Sequence, residues 1–164
     1  MNTTTLTELF FDQLRDIHSA AAQLVKSMPL HVSLCTHDAL RNLLASHTHQ
    51  YHNQMAEISA IFEWHGVVIG NDACKAMAGL LDGGTSHLQE VESAQTRDMM
   101  MIAHCLRIQA YEMAAYDFTT LLAGRLGMLR EPSILSELLA EEKEMAANLM
   151  LLEPGIFEAA KTNP

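Results

Sequence analysis

The sequence predicts an all-α protein, a bundle of four long helices with a long crossover that carries an extra helix. Three observations predict it. Breakers are scarce, with 8 Gly and 4 Pro in 164 residues. Apolar residues recur at three- and four-residue steps over long stretches, the period of an amphipathic helix. Alternating runs of the strand type are nearly absent. The length is that of one domain able to bury a real core.

A first helix is expected from about Thr5, where Thr5 and Glu8 have capping-box spacing. It carries Leu6, Leu9, Phe10, Leu14, Ile17, Ala21, Leu24, Val25 and Met28, and is expected to stop at Pro29. A second begins around Thr36 to Asp38 and runs through Leu40, Leu44, His47, Tyr51, Met55, Ile58 and Phe62 to Gly66. Between Val67 and Gln95 lies a connection with its own helix. Asn71 or Asp72 is its expected cap, and the Gly83-Gly84 pair its expected break or kink. A third long helix covers about Thr96 to Leu126, with Gly127 at its C-terminus. The last starts near Pro132, in the first turn where proline is tolerated, and is expected to end at Pro154. Residues 1–153 are thus read as the bundle and 154–164 as a C-terminal tail. Helices joined by short turns run antiparallel, whereas a connection of roughly thirty residues crosses the bundle's full length. Two helical hairpins joined in that way are the ferritin-like arrangement.

Charge and cysteine usage exclude several function classes. Twenty acidic against ten basic residues give a formal net charge of −10, which argues against nucleic acid and anionic membrane surfaces. Cys35, Cys74 and Cys105 are odd in number and contain no CxxC pair, so neither a disulfide framework nor a thiolate zinc site is expected. No apolar run approaches the roughly 18 to 20 residues needed to span a bilayer, and Met1 to Leu6 do not resemble a signal peptide. A cytoplasmic protein is the expectation. No strand-to-helix nucleophile elbow and no glycine-rich phosphate loop is present.

The residues that stand out are His47, His49 and His52, packed into one and a half turns of the second helix. His49 and His52 are three apart and leave the same face, the spacing at which one helix offers two ligands to one metal ion. His47 lies about 200° around from His49 and is expected in the contact between the second and third long helices. Helix three offers Gln109 and Glu112, and helix four offers Glu142 beside Glu141. Helix one offers only Ala20-Ala21-Ala22 at the matching depth. Each candidate also has a plain structural reading. Glu142 in Glu-Glu-Lys-Glu reads as a solvated face, Glu112 as an ion pair or a hydrogen bond to Tyr or His, and the histidines as exposed or satisfied core groups. The eleven methionines read as packing, and His104 as a core histidine.

An ordered set of stretches resembles the YciF/YciE-type ferritin-like family, small bacterial stress-associated proteins of poorly defined function. They are Leu9-Phe10 through Leu14-Arg15-Asp16, Gln23-Leu24, His47 through Gln54, Ile61-Phe62-Glu63, Cys74 through Leu80, Arg97-Asp98, Tyr111 through Tyr116 and Glu141-Glu142-Lys143. The resemblance implies a ferritin-like bundle, a homodimer, in which a carboxylate-rich di-metal site can occur. This chain departs from that pattern at Ala21, His49, Gln109 and Ala146, leaving Glu112 and Glu142 as its carboxylates. Two carboxylates under-neutralise the four positive charges of two divalent cations. The expectation is therefore one divalent transition-metal ion (iron, manganese or zinc) held by His49, His52, Glu112 and Glu142, or an empty polar core.

Three functions compete. The favoured one is a stress-associated ferritin-like protein with a degenerate site that acts by binding or assembly. The second is a metal-dependent oxidoreductase of the peroxide-consuming or ferroxidase kind, with Tyr51 or Tyr111 as a hydrogen-bond donor. The third is a structural bundle that recruits a protein partner. Ala21 and Gln109 weigh against the second, and whether the protein is an enzyme stays open at this point.

Overall fold

The computed structural model describes residues 4–162, and among them all regular structure is helical. Helix α1 (Leu6–Leu34) begins with the expected capping box. The Thr5 hydroxyl accepts from the Glu8 backbone N–H at 3.1 Å, and the Glu8 carboxylate accepts from the Thr5 N–H at 2.9 Å. The helix does not stop at Pro29 but continues one more turn. A proline inside a helix forfeits one backbone hydrogen bond. That turn packs Val32 and Leu34 against the core and leads to the buried Cys35.

Helix α2 (Asp38–His65) ends as anticipated at Gly66, whose φ of +63° is the left-handed conformation glycine adopts freely. Helix α3 (Lys75–Glu90) is capped by Cys74, whose sulfur accepts from the Met77 N–H, and neither Asn71 nor Asp72 is its cap. Gly83 and Gly84 lie inside α3 without breaking it. Gly84 is there for space, since a Cβ would fall 1.9 Å from Cε1 of His104. Helices α4 (Ala94–Arg125) and α5 (Glu131–Thr162) complete the chain. Like α1, α5 runs through its proline: Pro154 is internal, and the turn after it seats Ile156 in the core. The helical register therefore persists beyond residue 153, where the sequence reading placed a tail.

Short turns pair α1 with α2 and α4 with α5, and the crossover from residue 66 to 93 carries α3 against α1 and α4. Buried side chains fasten the connections. Asp98, 2% exposed, accepts from the Thr36 N–H and hydroxyl and from the His37 N–H, holding the α1–α2 turn against α4. Arg15 donates to the carbonyls of Ile69 (2.9 Å) and Val68 (3.0 Å), tying the start of the crossover to α1.

The core has two apolar zones. One holds Phe10, Leu14, Ile17, Ile58, Phe62 and Leu135. The other holds Leu24, Met28, Leu44, Met101, Ile108 and Leu149. At the junction between them, halfway along the long helices, the buried side chains become polar. That layer is the unusual feature of this interior.

Candidate functional site: a buried carboxyl pair

Heptad-like spacing on α2 positions the layer. Leu40, Leu44, His47, Tyr51, Gln54, Ile58 and Ile61 follow one another at three- and four-residue steps, and all are buried. His47, Tyr51 and Gln54 therefore point inward with the leucines and isoleucines around them. From α4 come Gln109, Glu112 and Tyr116, and from α5 comes Glu142. Each of these seven side chains is at most 2% exposed. Helix α1 contributes Ala20 and Ala21, both fully buried and without a donor atom.

The hydrogen bonds form one network across three helices. The Tyr51 hydroxyl donates to Glu112 Oε2 at 3.3 Å, and the Gln109 amide donates to the Tyr51 oxygen at 3.3 Å. Tyr116 donates to Gln54 Oε1 at 3.2 Å, and Gln54 in turn donates to Glu142 Oε1. Gln54 also lies 3.4 Å from Glu141 Oε2, at the rim of a surface cavity of about 320 Å³ between α2 and α5. His47 stacks edge-to-face on Tyr51, with its Nδ1 against Gln50 Oε1 and its Nε2 3.4 Å from Glu142 Oε2.

Electrostatically the layer hinges on Glu112 meeting Glu142 in a dry interior. Burial first, and the neighbouring Glu142 second, push the Glu112 carboxyl far above the ordinary value of 4.5. Two adjacent carboxyls in that interior, with only the His47 imidazole 3.4 Å from Glu142 beside them, favour keeping one proton between them. A shared proton is the economical state, with Glu112 neutral and donating. Burial likewise raises the Tyr51 and Tyr116 hydroxyls well above 10, with Glu112 and Glu142 adding to the effect. In this layer Glu112 Oε1 and Gln109 Oε1 lack a hydrogen-bond partner, and His47 Nε2 and Glu142 Oε2 meet at 3.4 Å without hydrogen-bond geometry. A proton shared by the two acids supplies the hydrogen that their oxygens lack.

Of the four residues expected to hold a metal, the structure brings together Glu112 and Glu142 only. His49 and His52 are exposed on the outer side of α2 and do not meet the acids. The physical reason is phase: the inward stripe passes through 47, 51 and 54, and residues 49 and 52 fall between those positions. His47 faces Glu142 of α5 and, as expected, also borders α4, lining a narrow internal gap with Cys105, Ile108 and Gln109. Sequence reasoning passed over His47 and Gln54 as members of the site, although their seven-residue separation within the stripe of Leu40, Leu44, Tyr51 and Ile58 was the signal for both.

A di-metal centre does not fit these residues. Two acids face a requirement of four positive charges, helix α1 offers alanine, and Gln109 is neutral. Among the described residues no three His, Cys, Asp or Glu side chains converge in a metal-holding arrangement. Also among the described residues, no helix is long and apolar enough to cross a membrane. All three cysteines are free and buried.

The chain as a whole is similar to known proteins. A family model described as "Domain of unknown function (DUF892)" matches residues 5–161. Protein YciF of Escherichia coli strain K12 is 28% identical over 144 residues, 87% of each chain. The crystal structure of the E. coli stress protein YciF superimposes with a TM-score of 0.91 at 26% identity, covering 95% of this chain and 99% of that one. The solved structure of YcfI from Rhodopseudomonas palustris gives a TM-score of 0.87 at 26% identity, covering 90% and 94%. The resemblance drawn from the scattered sequence motifs is thereby confirmed.

Proposed function

The chain belongs to the DUF892 family, and from that premise we propose that it is a stress-associated protein with a ferritin-like four-helix bundle that acts by binding or assembly rather than by redox catalysis. The observation that carries this reading is the composition of the central layer. Where a di-metal bundle places a carboxylate on every helix and an imidazole on two of them, this chain has Ala21, His47 with Tyr51 and Gln54, Gln109 with Glu112, and Glu142 with Met145. A proton shared between Glu112 and Glu142 does the charge-neutralising work that metal ions do elsewhere. The layer then serves as a hydrogen-bonded clasp that sets the register of α2, α4 and α5.

A second reading is favoured by the unpartnered atoms. His47 Nε2, Glu142 Oε2 and Glu112 Oε1 are three donors able to take one divalent cation if side-chain movement and loss of the shared proton open the site. Such an ion would act as a register-setting centre. Outward apolar side chains supply the binding surface that the favoured reading needs. Phe118 and Leu121, 46% and 49% exposed, lie one turn apart on α4 and suit a homodimer contact.

The experiment is metal titration of the full chain, stripped of metal, with iron(II), manganese(II) and zinc(II), each followed by elemental analysis. The favoured reading expects less than a tenth of an equivalent retained and no oxidation of iron(II) above the buffer rate. One equivalent lost in Glu142→Gln supports the second reading. Two equivalents with iron oxidation overturn both. Light scattering at working concentration tests the dimer, and a monomer mass removes it.

A further inference from the structure

We propose that α3 is an acid-releasable strap, held against α1 and α4 by two uncharged buried imidazoles, His31 and His104, and freed when either takes up a proton. The inference stands apart from the carboxyl pair, to which neither histidine belongs.

Geometry carries it. His31 of α1 is 0% exposed and His104 of α4 is 1% exposed. Their rings meet edge-to-face, with centroids 5.0 Å apart and planes at 88°. The α3 backbone rests directly on this pair. A Cβ at Gly84 would lie 1.9 Å from His104 Cε1 and 2.0 Å from its Nδ1, so the ring occupies the space a side chain would need. One residue further, the Thr85 hydroxyl lies 3.4 Å from His31 Nε2. The remaining docking face of α3 is apolar, formed by Met77, Leu81 and Leu88.

The surroundings accept neutral rings and reject charged ones. His31 Nδ1 and His104 Nε2 have no hydrogen-bond partner, so no acceptor waits for the second N–H of an imidazolium. The titratable and charged groups that act on His104 are His31 from α1, His87 from α3 and Arg107 from its own helix, and each disfavours another positive charge. Burial is the leading cause, and together they push His104 down from 6.5 to about 4, while burial alone lowers His31. The sign follows. Below pH 6.5 an undocked, solvated histidine binds a proton that the docked one refuses, so acid favours undocking. Each pH unit is worth about tenfold per histidine, hence about a hundredfold for His104 over two units. Undocking is local because α3 lies within the crossover and is not one of the four long helices.

The test is hydrogen–deuterium exchange of the full chain at pH 7.0 and 4.5, corrected for intrinsic exchange rates. Protection across residues 75–90 is expected to fall at least thirtyfold at the lower pH, while α5 keeps its protection. In His31→Gln with His104→Gln, that selective fall is expected to vanish. Simultaneous loss in α3 and α5, or an unchanged selective fall in the double variant, overturns the proposal. Should the variant fail to fold, the imidazole proton resonances of the wild-type chain decide. Titration of His104 near 6.5 with α3 still protected overturns it, and titration near 4 or below 5 together with α3 opening supports it.

Discussion

Replacing Glu112 with glutamine isolates the shared proton. Glutamine has the shape of a neutral glutamic acid, donates through its amide N–H to Glu142, and still accepts from the Tyr51 hydroxyl, which sits 3.3 Å away in the native layer. What it removes is an ionisable group whose value in the folded chain lies well above 4.5. Such a group contributes stability that is fully present below its unfolded value and lost as pH rises towards its folded value. Wild type therefore loses stability relative to the variant as pH climbs, at up to one proton per molecule, about 1.4 kcal/mol per pH unit. The difference therefore grows in the variant's favour as pH rises from 5 towards the folded value of Glu112. At pH 5 the two chains differ by under about 1 kcal/mol, the scale of one exchanged neutral hydrogen bond. Taking the difference between chains cancels other titrations, including His104, whose lowered value makes stability rise with pH across its own window. The assay is urea unfolding followed by far-ultraviolet circular dichroism at half-unit pH steps. A variant that is destabilised equally at every pH, or more at pH 7 than at pH 5, refutes the reasoning, because Glu112 would then be ionised and compensated.

Other expectations follow from the same geometry. Gly84→Ala forces a methyl into the His104 ring and is expected to cost about 1–3 kcal/mol of overpacking, roughly 5 °C in the thermal midpoint of a chain this size. Gly79→Ala, with nothing within 4 Å of the added Cβ, is expected to stabilise by about 0.5–1 kcal/mol in the same melt. Asp98→Ala strands the Thr36 and His37 donors at the α1–α2 turn and is expected to cost about 3 kcal/mol in urea unfolding at pH 7. His49→Ala with His52→Ala touches exposed positions and is expected to change stability by under about 0.5 kcal/mol, with metal retention unaltered.

The fold was legible because α-helical periodicity is a local property. The capping box at Thr5 and Glu8, the left-handed Gly66 and the long crossover all sit where residue chemistry puts them. Pro29 and Pro154 misled, since a proline's local cost is outweighed when the chain after it packs Val32, Leu34 and Cys35, or Ile156, into the core, and that burial is set by the rest of the molecule. Gly83 and Gly84 misled for a related reason. Gly84 answers to the ring of His104, twenty residues away, and not to a turn. At the site, Glu112 and Glu142 were readable because acids in otherwise apolar helix stripes need partners. His49 and His52 were misread because ligand spacing was weighed without helical phase. The stripe through Leu44, Tyr51 and Ile58 selects His47 and Gln54 and sends the other two histidines to water.

The measurement that bears most directly on the shared proton is infrared spectroscopy of metal-free protein at pH 7 with its glutamates carbon-13 labelled. The account predicts one glutamic carbonyl band of a neutral carboxyl group, absent from Glu112→Gln. A spectrum with every glutamate ionised at pH 7 contradicts it.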